Sequence, residues 1–189
     1  YNEGGNGVIA ISMNRLYEFT YKLENGALYM DFIDPHDIYD KVIVIDAGHG
    51  SRMSGATKNG IQEKDINLDI VLQLKALFDA YDGNIGVYYT RTDDSNPTLQ
   101  QRAELANKAG ADLFISVHNN SSGTGNFTSV NGTHVLYSES DDRELGSKKL
   151  AQICLDNVTA ATGSNDFGLL KADDIYIVRS SEAPVALIE

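Results

Sequence analysis

A single cysteine, Cys154, among 189 residues excludes an internal disulfide and any CxxC zinc or redox motif, so a metal centre in this chain would have to be built from His and carboxylate ligands. Cys154 itself falls on the apolar face of a helix and is expected to be a buried small hydrophobe. Long hydrophobic runs are missing too. None approaches the roughly 18 residues of a membrane span, which argues against both a transmembrane helix and a signal peptide. The sequence opens on Tyr1, as expected of a processed product or an excised piece. Positive charge is scarce: 15 Lys and Arg stand against 27 Asp and Glu, for a net charge of -12. Phosphate backbones need clusters of basic residues, so nucleic acid is excluded as a partner, and the acidity favours solubility. With 42% apolar and 22% charged residues, the composition is that of a soluble globular protein with enough chain to bury a sizeable core.

Two regions follow from the patterning. Residues 1–39 read as a Gly- and Asn-rich lead-in and then a β-hairpin. Leu16–Leu23 and Ala27–Ile33 carry aromatics at period two around Asn25-Gly26, the strongest short-range hairpin signal. So short a segment cannot bury its own core and reads as a remnant of, or linker from, an upstream domain. Asp34-Pro35-His36-Asp37 reads as a break, and His36 has no partner in view.

From residue 40 to 189 strands alternate with amphipathic helices. Val42–Ile45, Ile85–Thr90, Leu113–Val117, Thr133–Tyr137, Ile175–Arg179 and Val185–Glu189 read as strands. Helices are expected near 65–82, 98–109 and 142–162. Ile66, Ile70, Leu74 and Leu77 form the core face of the first, Leu99, Ala103, Ala106 and Ala109 that of the second, and Leu150, Ile153, Cys154 and Val158 lie on one side of the third. This pattern predicts an α/β fold, a mostly parallel twisted sheet with helices on both faces. The Gly-, Ser- and Asn-rich stretch from Ser121 to Gly132 is expected to be a mobile loop.

Two strands run straight into a histidine. Ile43-Val44-Ile45-Asp46-Ala47 is followed by Gly48-His49-Gly50, and Phe114-Ile115-Ser116-Val117 by His118. In an open α/β sheet ligands bind outside the carboxyl ends of the strands, so the two histidines can be neighbours despite their distance in sequence. Glu63, at the entry to the first helix, can reach the same strand mouth. Taken alone it reads equally as a first-turn carboxylate favoured by the helix dipole. His134, in a short strand, reads as a surface histidine.

These residues carry a resemblance. Ile45-Asp46-Ala47-Gly48-His49-Gly50, Gly60 with Glu63-Lys64-Asp65 and Asn67-Leu68, Thr90-Arg91, Leu99 with Arg102 and Ala106-Asn107, Ala111-Asp112, Phe114-Ile115-Ser116, His118 with Asn120, and Pro184, Val185, Leu187 and Glu189 together resemble the zinc-dependent N-acetylmuramoyl-L-alanine amidases of the type-3 amidase family. The match spans about residues 41–189, and departs from the family pattern at Ser51-Arg52-Met53 and at Glu189, where the family's strand continues into Gly-Phe and a final helix, so that the C-terminal end reads as truncated. The resemblance implies a three-layer sandwich holding one Zn²⁺ through His49, Glu63 and His118, with Glu189 as the catalytic carboxylate. Asn120 and Arg102 become residues that orient substrate or support the site, with a structural role equally open. The implied reaction is hydrolysis of the amide between N-acetylmuramic acid and L-alanine of the peptidoglycan stem peptide. The implied setting is secretion to the bacterial cell wall, with peptidoglycan as partner and no insertion into membrane. A zinc peptidase cutting within the stem peptide would share the ligand set, and a wall-binding module could retain the pocket without turnover.

Overall fold

The computed structural model describes residues 2–3, 6–121 and 129–189. Residues 122–128 of the loop expected to be mobile lie outside the described residues. In chain order the elements are β1 (Asn2–Glu3), β2 (Asn6–Gly7), β3 (Glu18–Glu24), β4 (Ala27–Ile33), α1 (Pro35–Ile38), β5 (Lys41–Ala47), β6 (Thr57–Lys58), β7 (Ile61–Gln62) and α2 (Glu63–Asp79). They continue with β8 (Ile85–Tyr89), α3 (Leu99–Lys108), β9 (Leu113–Val117), β10 (Gly132–Tyr137), α4 (Ser147–Thr162), β11 (Asn165–Lys171), α5 (Tyr176–Arg179) and β12 (Val185–Ile188).

Six strands form the central sheet in the order β11-β10-β12-β9-β5-β8. Every neighbouring pair is parallel except β10 with β12. Alternation along the strands sorts the core into two layers. Val42, Val44 and Phe114 pack with Ala106 of α3 and with Ile177 and Val178 of α5. The residues between them face the other way: Ile45, Ala47 and Val117 meet Val71 of α2, while Val135, Tyr137 and Ala186 meet Leu150, Ala151 and Leu155 of α4. Helices thus cover both faces of a mostly parallel sheet, as the alternation of elements predicts.

Four local readings are corrected. Ile175–Arg179 is not a strand: Tyr176–Arg179 is a short helix with Ile177 and Val178 buried, and an apolar run this short carries no period that separates the two. The sixth strand is instead Asn165–Lys171 at the sheet edge. Asp-Phe-Gly interrupts its pattern because one extra residue bulges there beside Gly168. Asp34-Pro35 does not merely break the chain. The Asp34 carboxylate accepts from the His36 amide and Pro35 takes the first turn of α1, a cap and N1 pair. Finally, α2 leaves Ile66, Ile70 and Leu77 exposed and buries Lys64, Asn67 and Val71. Its inner face is chosen by polar work at the site below rather than by the apolar stripe.

The hairpin turns at Asn25 and Gly26, both at positive φ, and exposes Phe19, Tyr21, Leu23 and Tyr29. Its base is tied to the α/β layer. Leu16 packs on the core cluster and its amide bonds the Lys108 carbonyl at 2.8 Å, Tyr88 Oη donates to Glu18 at 2.6 Å, and His36 Nε2 meets the Gly110 carbonyl at 2.8 Å. Ties therefore cross position 39. A chain starting at Tyr39 is expected to keep its site but lose roughly 2–4 kcal/mol, from the packing of Leu16 and the Glu18 bond. Urea unfolding of the two lengths measures this, and equal midpoints would show that the hairpin base contributes nothing.

Candidate metal centre and active site

β5 and β9 are adjacent and parallel, with Ala47 opposite Val117, so the residues that follow them emerge side by side. The His49 and His118 rings lie edge to face with centroids 4.8 Å apart. Glu63, at the first position of α2, reaches between them: its Oε1 is 3.2 Å from His49 Nε2 and 3.1 Å from His118 Nδ1. All three candidate ligand atoms lie within 4.8 Å of one another. A tetrahedral ion with ligands at about 2.0–2.1 Å has ligand-to-ligand edges of roughly 3.3–3.4 Å. The two short separations are close to that edge, and two imidazoles with one carboxylate leave a fourth position open to water or substrate. The donor set fits a small divalent cation.

The charge state fits as well. Burial works to raise the Glu63 carboxyl, but the His118 ring and the amides of Ala56 and Asn119 outweigh it and hold the group down at about 2. Burial pulls His49 below its ordinary value, against the pull of Glu63 in the other direction. The result is an anionic carboxylate beside a neutral imidazole, the forms that bind metal.

Two glycines make room. A Cβ on Gly48 would come within 2.3 Å of the His118 ring, and one on Gly55, whose φ is +65°, within 2.4 Å of Glu63 Oε2 and 2.6 Å of His49. His49 itself sits at φ 63°, a conformation that costs a non-glycine residue about 1–3 kcal/mol unless its surroundings impose it. Arg102 helps to impose it. This side chain is 3% exposed and donates to the His49 carbonyl at 2.7 Å, the Ala47 carbonyl at 2.7 Å and Asp46 Oδ1 at 2.5 Å. Asp46, fully buried, also accepts from Thr90 and Ser116. Arg91 bridges the carbonyls of Ala47, Gly48 and Lys64, and Asn67 links the Gly48 carbonyl to the Asn119 side chain. Arg102 therefore meets loop backbone and Asp46.

Replacing Gly48 by Ala is expected to push His118 aside and weaken metal binding about 10- to 100-fold, the usual cost of disturbing a ligand's support, with helical circular dichroism unchanged. Competition titration against a chromophoric chelator measures this, and unaltered affinity would show that the His118 position is not set by Gly48.

Glu189 stands at the end of β12 and lines the same cleft as His49, Glu63 and His118, a hollow of about 360 Å³. Its backbone is fixed by reciprocal 2.9 Å bonds with His134. Asn120 lines the cleft too. Its Oδ1 accepts from the Ser121 amide and its Nδ2 lies 2.8 Å from His134 Nε2. A second hollow of about 300 Å³ adjoins it, sharing His49, Leu99, His118 and Ile177 and extending to Met53 and Pro97. Cys154, half-buried, packs on the α4 cluster away from it. The sequence reading passed over Asp46, Arg91 and Asn67 as functional positions. For Asp46 a signal was there: a carboxylate inside an otherwise apolar buried strand must find partners.

Comparison with known proteins gives the site its kin. A family model described as N-acetylmuramoyl-L-alanine amidase matches residues 43–189. The chain is 34% identical over 152 residues to the N-acetylmuramoyl-L-alanine amidase LytC of Bacillus subtilis, an overlap of 80% of this chain and 29% of that protein. It is 36% identical over 151 residues to the endolysin of Bacillus phage SPP1, covering 79% and 54%. It thus spans about a third of one relative's length and about half of the other's. Among solved structures it resembles the catalytic domain of CwlV, an N-acetylmuramoyl-L-alanine amidase from Paenibacillus polymyxa var. colistinus, with a TM-score of 0.70 and 34% identity over 79% of each chain. The match in sequence, over the α/β region that carries the His-Glu-His cluster, and the match in fold converge: this chain belongs to the N-acetylmuramoyl-L-alanine amidase family, the type-3 amidases.

Proposed function

We propose that this chain is a zinc-dependent amidase that cleaves the bond between the lactyl group of N-acetylmuramic acid and the L-alanine of the peptidoglycan stem peptide, acting on the bacterial cell wall as a secreted enzyme. The observation that carries the proposal is the convergence of two imidazoles and a carboxylate at ligand spacing with a further carboxylate, Glu189, on one cleft. Family membership supports it, and the absence of Cys from the cluster points to an N and O donor set suited to zinc.

In this reading His49, Glu63 and His118 hold the ion. When bound, zinc supplies Lewis acidity, polarising the scissile carbonyl and acidifying water. Glu189 is the general base and then the general acid. It takes a proton as water oxygen adds to the lactyl carbonyl, and it gives that proton to the alanine nitrogen as the C–N bond breaks, leaving a free amine and a carboxylic acid that loses its remaining proton to solvent. Asn120 orients the substrate from the rim of the cleft. Arg102 acts through the His49 carbonyl, holding a metal ligand's backbone in its strained conformation. The two adjoining hollows at the histidines suit an extended substrate, with sugar in one and peptide in the other.

The test is hydrolysis of a soluble muramoyl peptide before and after chelation. Activity that disappears with chelator and returns with stoichiometric Zn²⁺ is expected. Turnover that survives complete metal removal would overturn the proposal.

A further inference from the structure

The pairing of β10, β12 and β9 sets a row of side chains that the amidase reading leaves partly unused. His118 follows β9 and Glu189 follows β12, one residue beyond the parallel pair Val117 and Ile188. On the other side of β12, Glu189 and His134 exchange both backbone hydrogen bonds at 2.9 Å. Directly opposed residues in an antiparallel ladder carry their side chains on the same face, with Cβ atoms about 4.5–5.5 Å apart. The next pair on the same face, Leu136 and Leu187, two residues along each strand, shares one core cluster, which fixes that face as the α3 and α5 side. Glu189 is thus flanked across the strand ends by His118 and by His134.

The bonds around His134 settle which of its nitrogens carries the proton. The Ser121 amide donates to Asn120 Oδ1 at 2.7 Å, so Asn120 must turn its NH₂ the other way, to His134 Nε2 at 2.8 Å. An amide NH₂ has only hydrogens to offer, so Nε2 accepts and the neutral ring carries its hydrogen on Nδ1. Phe167 packs against the same ring with centroids 6.0 Å apart, restricting its rotation. What remains is an Nδ1–H donor directly across the ladder from Glu189.

We infer that His134 is a positioning residue for Glu189. The two side chains are not bonded as they stand; when the Glu189 carboxylate turns to the ring, one oxygen accepts from Nδ1–H and the other faces water and the leaving amine. The inference rests on the amidase reading of the site. A carboxylate that must take a proton from one atom and give it to another gains from a fixed orientation, and a charge-assisted hydrogen bond supplies it.

The test uses isosteric replacements in the full chain. Asn places an amide N–H where Nδ1 was, whereas Gln places one at the reach of Nε2. His134→Ala and His134→Gln are expected to lower kcat roughly 10- to 100-fold, the worth of one hydrogen bond to a charged group, with KM and zinc affinity little changed. His134→Asn should restore most of the loss. Asn120→Asp, which offers an acceptor to Nε2, should favour the other tautomer and reproduce the loss. In a Glu189→Gln background His134→Ala should change kcat no further. Nitrogen-15 NMR of the imidazole reads the tautomer without any turnover: Nδ1–H in the wild type, Nε2–H in Asn120→Asp. An Nε2–H tautomer in the wild type, equal activity in the Ala and Asn variants, or a loss that persists without the Glu189 carboxylate would overturn the inference. An active wild type with an indifferent His134 series sinks this inference alone, whereas a wild type that hydrolyses no muramoyl amide sinks the amidase reading with it.

Discussion

Replacing Glu189 by Gln is expected to cost about 10²- to 10⁴-fold in turnover, the usual contribution of a positioned general acid-base group, while zinc content stays at one per chain. The substitution keeps the size and the hydrogen-bonding reach of the side chain and removes only its capacity to hold a proton. Nothing that holds the backbone changes, because residue 189 is fixed by its main-chain bonds to His134. Nor do the proposed ligands change, because Glu63, His49 and His118 are placed by α2, β5 and β9. The comparison is made by steady-state hydrolysis of a muramoyl peptide alongside elemental analysis of the same preparations. Near-normal kcat in the Gln variant would remove Glu189 from the mechanism and direct attention to another carboxylate.

Replacing either histidine by Ala is expected to abolish both stoichiometric zinc and hydrolysis. Two remaining donors are too few for a catalytic site that already keeps one position open. Either change also takes a partner from Glu63 Oε1, in a site where that carboxylate is 8% exposed. The fold should survive, because both histidines stand outside the apolar clusters. Full zinc retained by His49→Ala or His118→Ala would defeat the ligand assignment. Loss of helical circular dichroism on chelating the wild type would make the metal structural instead.

How much of this could be read from the chain depends on the range of each signal. Strands such as Val42–Ile45 and Leu113–Val117 are legible because buried parallel strands read as continuous β-branched and apolar runs, and the histidines after them are legible because strand ends share one rim. Glu63 is legible only in company, for a carboxylate at a helix start has an ordinary explanation of its own. The face of α2 was misread because Asn67 and Lys64 turn inward to serve Gly48 and Asp94, and hydropathy has no access to a hydrogen-bond partner nineteen or thirty residues away. The same limit hid the buried Asp46 and Arg102 pair and the link from Asn120 to His134. Exposed edges such as β11 lack alternation because little packs on them, and they are lost to periodicity for that reason.

The central claim is that the His49, Glu63 and His118 centre, with Glu189 beside it, cuts the lactyl to L-alanine amide. End-group analysis of purified peptidoglycan digested by the zinc-loaded chain tests it most directly. The account predicts new L-alanine amino termini and muramic acid residues freed of peptide, in equal amounts and only with metal present. New amino termini on any residue deeper in the stem peptide would make the enzyme a peptidase, and wall binding that releases no amino groups would make it a module without turnover; either result would contradict the account.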